Sequence, residues 1–524
     1  MRTSKPVPAF LLTVLAAAAG AQAQHWVRFY DGPVRLNDYG NGVALGPAGT
    51  VAITGRSSGL GTGADFATVK YDAAGNQLWA ARYTGPGNEI DQGELVGMDA
   101  AGNVYVTGQS WGGYRPAGGE WDYVTIKYDG ATGQALWTRR YDGPGNWSDT
   151  VLGMKVDAAG NVHLCGFAFK ELDIFGRYAT HFHVMKYDTA GTVAWEHLLD
   201  GPVHLGAGAR AVALDAAGNV YATGQYNGGD GFNNDDNIMT VKIGPAGNLI
   251  YTATWSSTAF NTGWDDGLAV AADADGNALV AGRIMSDDLE EHVNAVVLKY
   301  GPTGSLLWAT SSQLDNSDAP GSITADAAGN VYVGGGASTQ TDDLGMLWSL
   351  SPQGTTRWRE FFDQPGEWDQ NWIVDVRVGP EGNIYGLGDI QYDDGYFPTV
   401  YVNTPAGAKV SEARHDVGSG NSTTNGFDIA PDGSIAIGGW RHMPLTLVDY
   451  FTVRIPGGGG PPACYANCDG STAAPVLNVA DFSCFLQRYA AGEAYANCDQ
   501  STAPPVLNVA DFSCFLQRYA AGCP

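Results

Sequence analysis

Apolar and polar residues alternate along most of this chain in short segments that glycine-containing turns separate. Residues 122–128 read Asp-Tyr-Val-Thr-Ile-Lys-Tyr, and residues 136–141 form a second alternating segment that carries a tryptophan. A two-residue period places successive side chains on opposite faces of a β-strand. Turns of the type Asp-Ala-Ala-Gly-Asn recur every 51 to 58 residues, centred on Gly49, Gly102, Gly160, Gly218, Gly276, Gly329, Gly382 and Gly433.

Each period holds four short predicted strands, two of them joined by the recurring turn. Four-stranded repeats of this length are typical of a β-propeller, and eight copies predict eight blades over residues 24–456. Residues 26–30 match the fourth strand of a repeat, and residues 449–455 match a third strand that no fourth follows. We therefore expect these two segments to pair and close the ring, which leaves no exposed edge at the join. The repeats resemble the SBBP type of bacterial propeller repeat, a resemblance that implies a fold and little chemistry.

The last sixty residues change from a strand-like to a helical pattern. Residues 465–494 and 495–524 are two 30-residue units that differ at four positions. In the first unit, Phe482, Phe485, Leu486 and Tyr489 follow the spacing of one helix face, and Gly492 stands where a C-terminal cap belongs. The sequence predicts two short helices whose apolar stripes bury each other.

Oxygen-bearing side chains precede each predicted helix. Carboxylate, amide and hydroxyl oxygens are ligands for a hard cation, so the pattern predicts Ca²⁺ as a cofactor. Residues 467–481 span fifteen positions, however, whereas the EF-hand loop has twelve. The alternative is a helix pair stabilised by disulfides, with ordinary capping residues. The predicted metal ligands are Asn467, Asp469, Ser471, Asn478 and Asp481, repeated as Asn497, Asp499, Ser501, Asn508 and Asp511.

This duplicated segment resembles the cysteine-containing GC-type dockerin, found at the C-termini of secreted bacterial proteins. The resemblance implies a cohesin-like protein or surface scaffold as the partner. The exposed helix positions also offer arginines, which bind carboxylates through two parallel hydrogen bonds. The residues that the resemblance places at the partner are Val479, Ala480, Gln487 and Arg488, repeated as Val509, Ala510, Gln517 and Arg518.

Six of the seven cysteines lie in this C-terminal segment, which indicates an oxidising compartment. Fifteen pairings are possible, and the repeat favours one end-to-end bond with one bond inside each unit. Cys165 is predicted to be an unpaired, buried strand residue. The favoured pairs are Cys464 with Cys523, Cys468 with Cys484, and Cys498 with Cys514.

The N-terminus predicts export. Arg2 and Lys5 precede an apolar run, and Ala21-Gln22-Ala23 matches a cleavage site, so residues 1–23 are expected to be a signal peptide. The mature chain would begin at Gln24 and lie outside the cell or on its surface, with no membrane span. The net charge of −27 disfavours nucleic acid as a partner. The Gly/Pro-rich residues 457–462 are expected to link the propeller to the C-terminal domain, residues 463–524.

Five long segments are predicted to form loops on one face of the ring: residues 109–121, 167–180, 225–236, 283–292 and 389–396. A glycan is a possible ligand there, because aromatic rings stack on sugars; the alternative is that these rings pack within their own loops. The aromatic residues are Trp111, Tyr114, Trp121, Phe169, Tyr178, Tyr226, Phe232, Tyr392 and Tyr396.

Aspartates also recur before the inner strands, at Asp38, Asp91, Asp149, Asp266 and Asp369. A catalytic residue is needed once, so recurrence favours a structural role over glycosidic acid–base chemistry. Histidines cluster in the third repeat, where His181 and His183 share a strand face and offer a possible metal site. Substituted packing positions explain His163 and His183 equally well. Residues 230–237 are a second possible calcium loop.

These patterns favour a secreted, non-catalytic binding or display protein that its C-terminal segment anchors. The alternative function is an extracellular polysaccharide hydrolase or lyase, since dockerins of this kind are often fused to such enzymes. A structural envelope protein is a third possibility. A cleft with non-repeating carboxylates roughly 5 to 10 Å apart would favour the enzyme. The sequence assigns no catalytic residue.

Overall fold

The computed structural model describes residues 25–115, 118–172, 178–201, 206–229, 235–257, 264–285, 293–312, 314, 317–338, 343–362, 371–392, 395–418, 421–443 and 447–456. In the C-terminal segment it describes residues 483, 485–487, 489 and 515. Within these residues, no helix has the length and apolarity needed to cross a membrane.

The described chain forms an all-β propeller of eight four-stranded antiparallel sheets. The first seven sheets take consecutive strands, from the inner strand to the outer one. A short 3-10 helix, Pro47–Gly49, lies in the first turn. The strands are β1 Trp26–Tyr30, β2 Asp38–Leu45, β3 Val51–Ser58, β4 Ala64–Tyr71, β5 Gln77–Tyr83, β6 Asp91–Met98, β7 Val104–Arg115, β8 Gly118–Tyr128, β9 Ala135–Tyr141, β10 Thr150–Val156, β11 Val162–Leu172, β12 Tyr178–Tyr187, β13 Val193–Leu199, β14 Ala207–Leu214, β15 Val220–Asn227, β16 Asp236–Ile243, β17 Leu249–Trp255, β18 Asp266–Ala272, β19 Ala278–Met285, β20 Val293–Tyr300, β21 Leu306–Ser311, β22 Asp318–Ala325, β23 Val331–Ser338, β24 Asp343–Leu350, β25 Thr356–Phe362, β26 Trp372–Val378, β27 Ile384–Tyr392, β28 Gly395–Asn403, β29 Lys409–Arg414, β30 Ser422–Ile429, β31 Ile435–Met443 and β32 Leu447–Ile455.

The eighth blade joins the two ends of the propeller chain. Its order is β30, β31, β32, β1, and β1 pairs with β32 in a register that sets Trp26 opposite Arg454 and Tyr30 opposite Tyr450. The N-terminal strand thus serves as the outer strand of the last blade. The predicted eight blades and the predicted closure are both confirmed.

Tryptophans on most of the outer strands pack against the blade that follows. Trp79 lies against Gly133 of the following blade, whose φ is +71°, and a Cβ at that glycine would approach the indole to 2.7 Å. The indole nitrogen of Trp79 also donates a hydrogen bond to the carbonyl of Gly130, at 3.1 Å. The same contact recurs at Trp26, Trp137, Trp308 and Trp358.

The recurring turns are held by an aspartate and an asparagine four residues apart. Asp99 accepts hydrogen bonds from the backbone N–H groups of Ala101 and Asn103 and from the Asn103 side chain, at 2.8–3.0 Å. Burial acts to raise the pKa of Asp99, but these hydrogen bonds and Lys127 hold it below its usual value. Equivalent pairs are Asp157 with Asn161, Asp215 with Asn219, Asp273 with Asn277, and Asp326 with Asn330.

Antiparallel order gives the ring two unlike faces. The turn face carries the glycine turns, and the connection face carries the links between blades together with the hairpins between second and third strands. On the connection face, β7 and β8 extend the hairpin through most of residues 109–121, and β11 with β12 and β27 with β28 do the same. Three of the five predicted loops are therefore extended hairpins, because cross-strand pairing continues past the repeat.

Candidate functional site

Buried aspartates at the start of the inner strands organise the links between blades. Asp38 accepts hydrogen bonds from the backbone N–H groups of Gly32 (2.6 Å) and Ser58 (3.1 Å). Asp91 and Asp149 accept the equivalent bond from the glycine in their own links, at 2.5 and 2.6 Å. The carboxylates fasten each link to the blade that follows it, which is the structural role that their recurrence indicates.

One of the five predicted recurring aspartates, Asp266, is assigned to the wrong residue, and another lies outside the described residues. Asp265, and not Asp266, holds the link in the fifth blade, by accepting bonds from the backbone N–H and the hydroxyl of Ser257. Asn371 takes this position in the seventh blade, where it accepts a backbone bond across the first strand pair; Asp369 lies outside the described residues. Neighbouring acidic or amide residues make these positions ambiguous in sequence, and only the strand register separates them.

Two equivalent contacts between neighbouring blades each bring three carboxylates together. In each, one oxygen of every carboxylate lies within 4.8 Å of the others. Burial, together with the negative charges of its neighbours, raises the pKa of Asp149 to about 7. Such clusters attract cations, and Arg140 already supplies one, with its Nε 2.6 Å from Asp122. The clusters are Asp31, Asp38 and Asp449, and Asp122, Asp142 and Asp149.

The histidines of the third blade occupy packing positions. His163 and His183 are buried, and His183 stacks on Tyr141 with ring centroids 4.5 Å apart. Its Nε2 lies 3.1 Å from Glu196, while His181 faces a different carboxylate at 2.8 Å. Among the described residues, the three-ligand groups include no histidine. The geometry favours substituted core positions over a metal site.

Aromatic residues on the connection face pack against other side chains of the protein. Trp111 and Trp121 face each other across β7 and β8, with ring centroids 5.3 Å apart. Tyr392 lies 6.1 Å from Phe397, and the guanidinium of Arg414 covers Phe397 at 3.6 Å. These contacts favour local packing over sugar stacking. The side chains of Tyr114 and Tyr178, the whole of Phe232 and residues 230–234 of the second calcium candidate lie outside the described residues.

Most predicted residues of the C-terminal segment also lie outside the described residues. These include all ten calcium candidates, the six paired cysteines and every partner residue except Gln487, which is exposed. Phe485 and Phe515, which are equivalent in the two repeat units, are fully buried and stack with centroids 4.0 Å apart and planes 13° apart. Leu486 departs from the predicted apolar stripe, since it is 41% exposed.

The eight inner strands surround a central channel. Each carries one β-bulge at the equivalent position, and a bulge redirects its side chain. Six of the eight bulged residues line a cavity of about 680 Å³ at the centre of the ring. The bulged residues are Asn41, Glu94, Leu152, Arg210, Leu268, Gly321, Val374 and Asn425.

Glu94 is the single carboxylate among these bulged residues. Its Oε1 accepts a hydrogen bond of 2.6 Å from the side chain of Gln92. Burial nevertheless raises the pKa of Glu94 to about 7. A carboxyl group with this pKa can exchange a proton near neutral pH.

A second set of ionisable groups lies at the turn-face end of the channel. Arg377 binds Asp375 through two nitrogens, at 2.8 and 3.0 Å, and Asp428 lies on the adjacent inner strand. Lys155 projects from β10, on the opposite side of the ring. The surrounding protein, which displaces bulk water, and the charge of Arg377 lower the pKa of Lys155, while Asp375 and Asp428 act to raise it.

These channel residues were not predicted from the sequence, although a signal for them exists. Lys155, Arg377 and Asp428 each occupy the next-to-last position of an inner strand. The other five inner strands carry Ala44, Gly97, Ala213, Ala271 and Thr324 at this position. A search for charged residues at a position that is otherwise small would have found them.

No protein-family model matches this chain, and no curated protein matches it in sequence. Solved structures do align with it. Sqt1 from Chaetomium thermophilum aligns at 12% identity with a TM-score of 0.49, over 82% of this chain and 98% of Sqt1. The propeller of Dos1 aligns at 10% identity with a TM-score of 0.46, over 80% of this chain and 93% of that one. The polysaccharide lyase Uly1 aligns at 12% identity with a TM-score of 0.42, over 68% and 88%. At such identities the likeness concerns the fold alone.

Proposed function

We propose that this chain is an exported, non-catalytic binding protein whose propeller is held in an extracellular or cell-surface assembly by its duplicated C-terminal segment. In this proposal, residues 1–23 are a cleaved leader, residues 24–456 an SBBP-type propeller, residues 457–462 a linker and residues 463–524 a dockerin-like domain. The propeller displays its two faces, and the C-terminal domain supplies the attachment.

The stack between Phe485 and Phe515 carries this proposal. The two residues are thirty positions apart and occupy equivalent places in the repeat, and their rings meet face to face at 4.0 Å. Two units related by a half-turn would bring equivalent residues into contact in this way. Such a pair presents the same docking surface in two orientations, with Leu486 and Gln487 exposed beside the stack in one unit.

Calcium and disulfides would stabilise a domain of this size. About sixty residues bury little apolar surface, so small domains commonly depend on metals or disulfides. We assign Ca²⁺ to the ten oxygen-bearing residues and the three disulfides to the pairs predicted above. Calcium is expected to protect the C-terminal segment from proteolysis, and non-reducing peptide mapping is expected to find the three bonds with Cys165 free.

The docking surface is tested by reversing its charge. Arg488→Glu and Arg518→Glu together are expected to abolish retention in the cell-surface or scaffold fraction, because a partner carboxylate would then face a carboxylate. Each single change is expected to do little, since the other unit compensates. The propeller should melt as in the unchanged protein.

A control is Arg35→Glu, which reverses one charge at a side chain that is 86% exposed and lies far from the C-terminal segment in sequence. Full retention of the double variant would exclude these arginines from the docking surface. Full retention of a chain that ends at Pro456 would exclude anchoring by the C-terminal segment altogether.

A polysaccharide-degrading activity is the second candidate, and Glu94 is the observation that favours it. Its pKa of about 7 suits a general acid or base, and the residue does not recur in other blades. Release of reducing ends or unsaturated products from acidic and neutral polysaccharides, lost in Glu94→Gln but kept in Glu89→Gln, would support this candidate. No release from any of these substrates would count against it.

A further inference from the structure

One level of the channel combines large charged side chains with very small ones. At the next-to-last position of the inner strands, Lys155 and Arg377 lie on opposite blades and Asp428 lies beside Arg377. Alanine or glycine fills four of the remaining five places. The small residues leave room in the cavity of about 680 Å³ that these strands surround. Cavities of this volume commonly hold small molecules.

The carboxylates at this level are already engaged by donors of the protein. Asp375 accepts hydrogen bonds from Arg377 on Oδ2 and from the backbone N–H of Val376 on Oδ1, at 2.8 Å. Asp428 accepts bonds from the backbone N–H groups of Leu45 (2.8 Å) and Ile429 (3.0 Å). Both anions are therefore satisfied without an added cation.

Lys155 and Arg377, by contrast, have hydrogen-bond donors that no described residue uses. Lys155 is exposed to the water in the channel, and no carboxylate oxygen of the described residues lies within 4 Å of its Nζ. Arg377 uses Nε and Nη2 for Asp375, and its Nη1 donates to no atom of the described residues. Two positive groups thus face one lumen with donors available, and they repel each other. An anion between them would remove this repulsion and gain charge-assisted hydrogen bonds.

We propose that the central channel binds the oxyanion group of a small molecule, such as a carboxylate, sulfate or phosphate, between Lys155 and Arg377. The ligand enters from the turn face and meets Lys155 Nζ on one side and Arg377 Nη1 on the other. The negative charge of Asp428 repels the ligand and therefore lowers the affinity. This site is independent of the C-terminal segment.

Titration calorimetry of the full chain with sodium sulfate, phosphate, acetate and glucuronate tests the site. At least one probe is expected to bind with one-to-one stoichiometry, and the comparison of inorganic with organic anions identifies the source of the oxyanion. Lys155→Met is expected to weaken binding at least about tenfold, the loss of one charge-assisted contact. Asp428→Asn is expected to strengthen it.

Lys409→Met is the matched control, since Lys409 lies on the outer strand β29 and pairs there with Glu412. It should bind each probe as the unchanged protein does. Lys155→Arg, which keeps the charge, should retain binding and covers the case in which the methionine variant fails to fold. Selenate soaked into crystals should give an anomalous peak within hydrogen-bond distance of Lys155 Nζ.

Three outcomes would overturn the proposal. The first is no binding of any probe by the unchanged protein at millimolar concentration. The second is equal binding by folded Lys155→Met. The third is a selenate peak only outside the channel.

Discussion

At the seams, which are the contacts between neighbouring blades, most outer strands place a tryptophan on a glycine of the next blade, whereas the channel wall carries residues that occur once. Trp79 packs on Gly133 just as Trp26, Trp137, Trp308 and Trp358 pack on their own neighbours. Lys155 and Arg377, by contrast, replace alanine or glycine at a position that is otherwise small. Recurring residues in this chain therefore mark positions that stabilise the fold, while departures from the repeat mark candidate chemistry.

The largest effect is expected from removal of the N-terminal strand. Deletion of residues 24–32 leaves β32 without its partner and removes the buried Trp26 from the seam with the first blade. Loss of a buried tryptophan alone costs about 3–5 kcal/mol, and the lost strand pairing adds to it. We expect the free energy of unfolding in denaturant to fall by more than about 5 kcal/mol. A chain that starts at Gln24 is the reference, and equal melting of the two would contradict closure by β1.

A single seam residue is expected to have the next largest effect. Trp79→Ala should lower the free energy of unfolding by about 3–5 kcal/mol, because the indole is 92% buried and leaves a cavity. Its neighbour Leu78 is 47% exposed, so Leu78→Ala should change the value by less than about 0.5 kcal/mol. Denaturant unfolding measures both. Similar losses in the two variants would mean that the buried Trp79 contributes no more to stability than an exposed side chain does.

The buried link carboxylates predict how stability depends on pH. Burial raises the pKa of Asp149 to about 7 and that of Asp318 to about 6, above the unfolded value of about 3.9. The folded protein therefore holds these protons more tightly than the unfolded chain does. The free energy of unfolding should fall as pH rises from about 4 to about 7. The turn aspartates such as Asp99 act oppositely: their pKa values are lowered, so their contribution is lost as pH falls below about 4.

Calorimetric melting between pH 4 and pH 8 checks this dependence. Asp149→Asn cannot ionise, so its melting temperature should fall less between pH 5 and pH 7.5 than that of the unchanged protein. Asp275→Asn removes one exposed charge and serves as the control. Parallel curves for all three proteins would show that Asp149 does not titrate in this range.

The smallest effect on stability is expected at the channel wall. Lys155 makes no ion pair with the described residues and faces water, so Lys155→Ala should change the free energy of unfolding by no more than about 0.5 kcal/mol. Denaturant unfolding of this variant beside Trp79→Ala gives the sharpest contrast between a recurring and a non-recurring residue. A loss above about 2 kcal/mol would show that Lys155 supports the fold. It would contradict the distinction between recurring residues that stabilise the fold and non-recurring residues that do not.

The candidate residues differ in how far the sequence predicts their roles. The role of Asp38, Asp91 and Asp149 follows from their recurrence, but the step from Asp266 to Asp265 required the strand register. The strands of the extended hairpins around Trp111 and Tyr392 could not be recognised in the sequence, because these segments pair as strands but do not follow the repeat pattern. The channel residues are visible in the sequence as charged residues at a strand position that is small in most blades. No local pattern, however, says that Lys155 and Arg377 face each other.

The eight blades, the four strands in each and the closure of the ring by the N-terminal strand could all be predicted from the sequence. Those features follow from local alternation and from complementary partial repeats, which short-range physics dictates. The folded ring was needed to learn which seams gather three carboxylates, which tryptophan meets which glycine, and which charges share the channel. Ring closure brings residues more than two hundred positions apart, such as Lys155 and Arg377, to one lumen, and no local pattern encodes a distance across it.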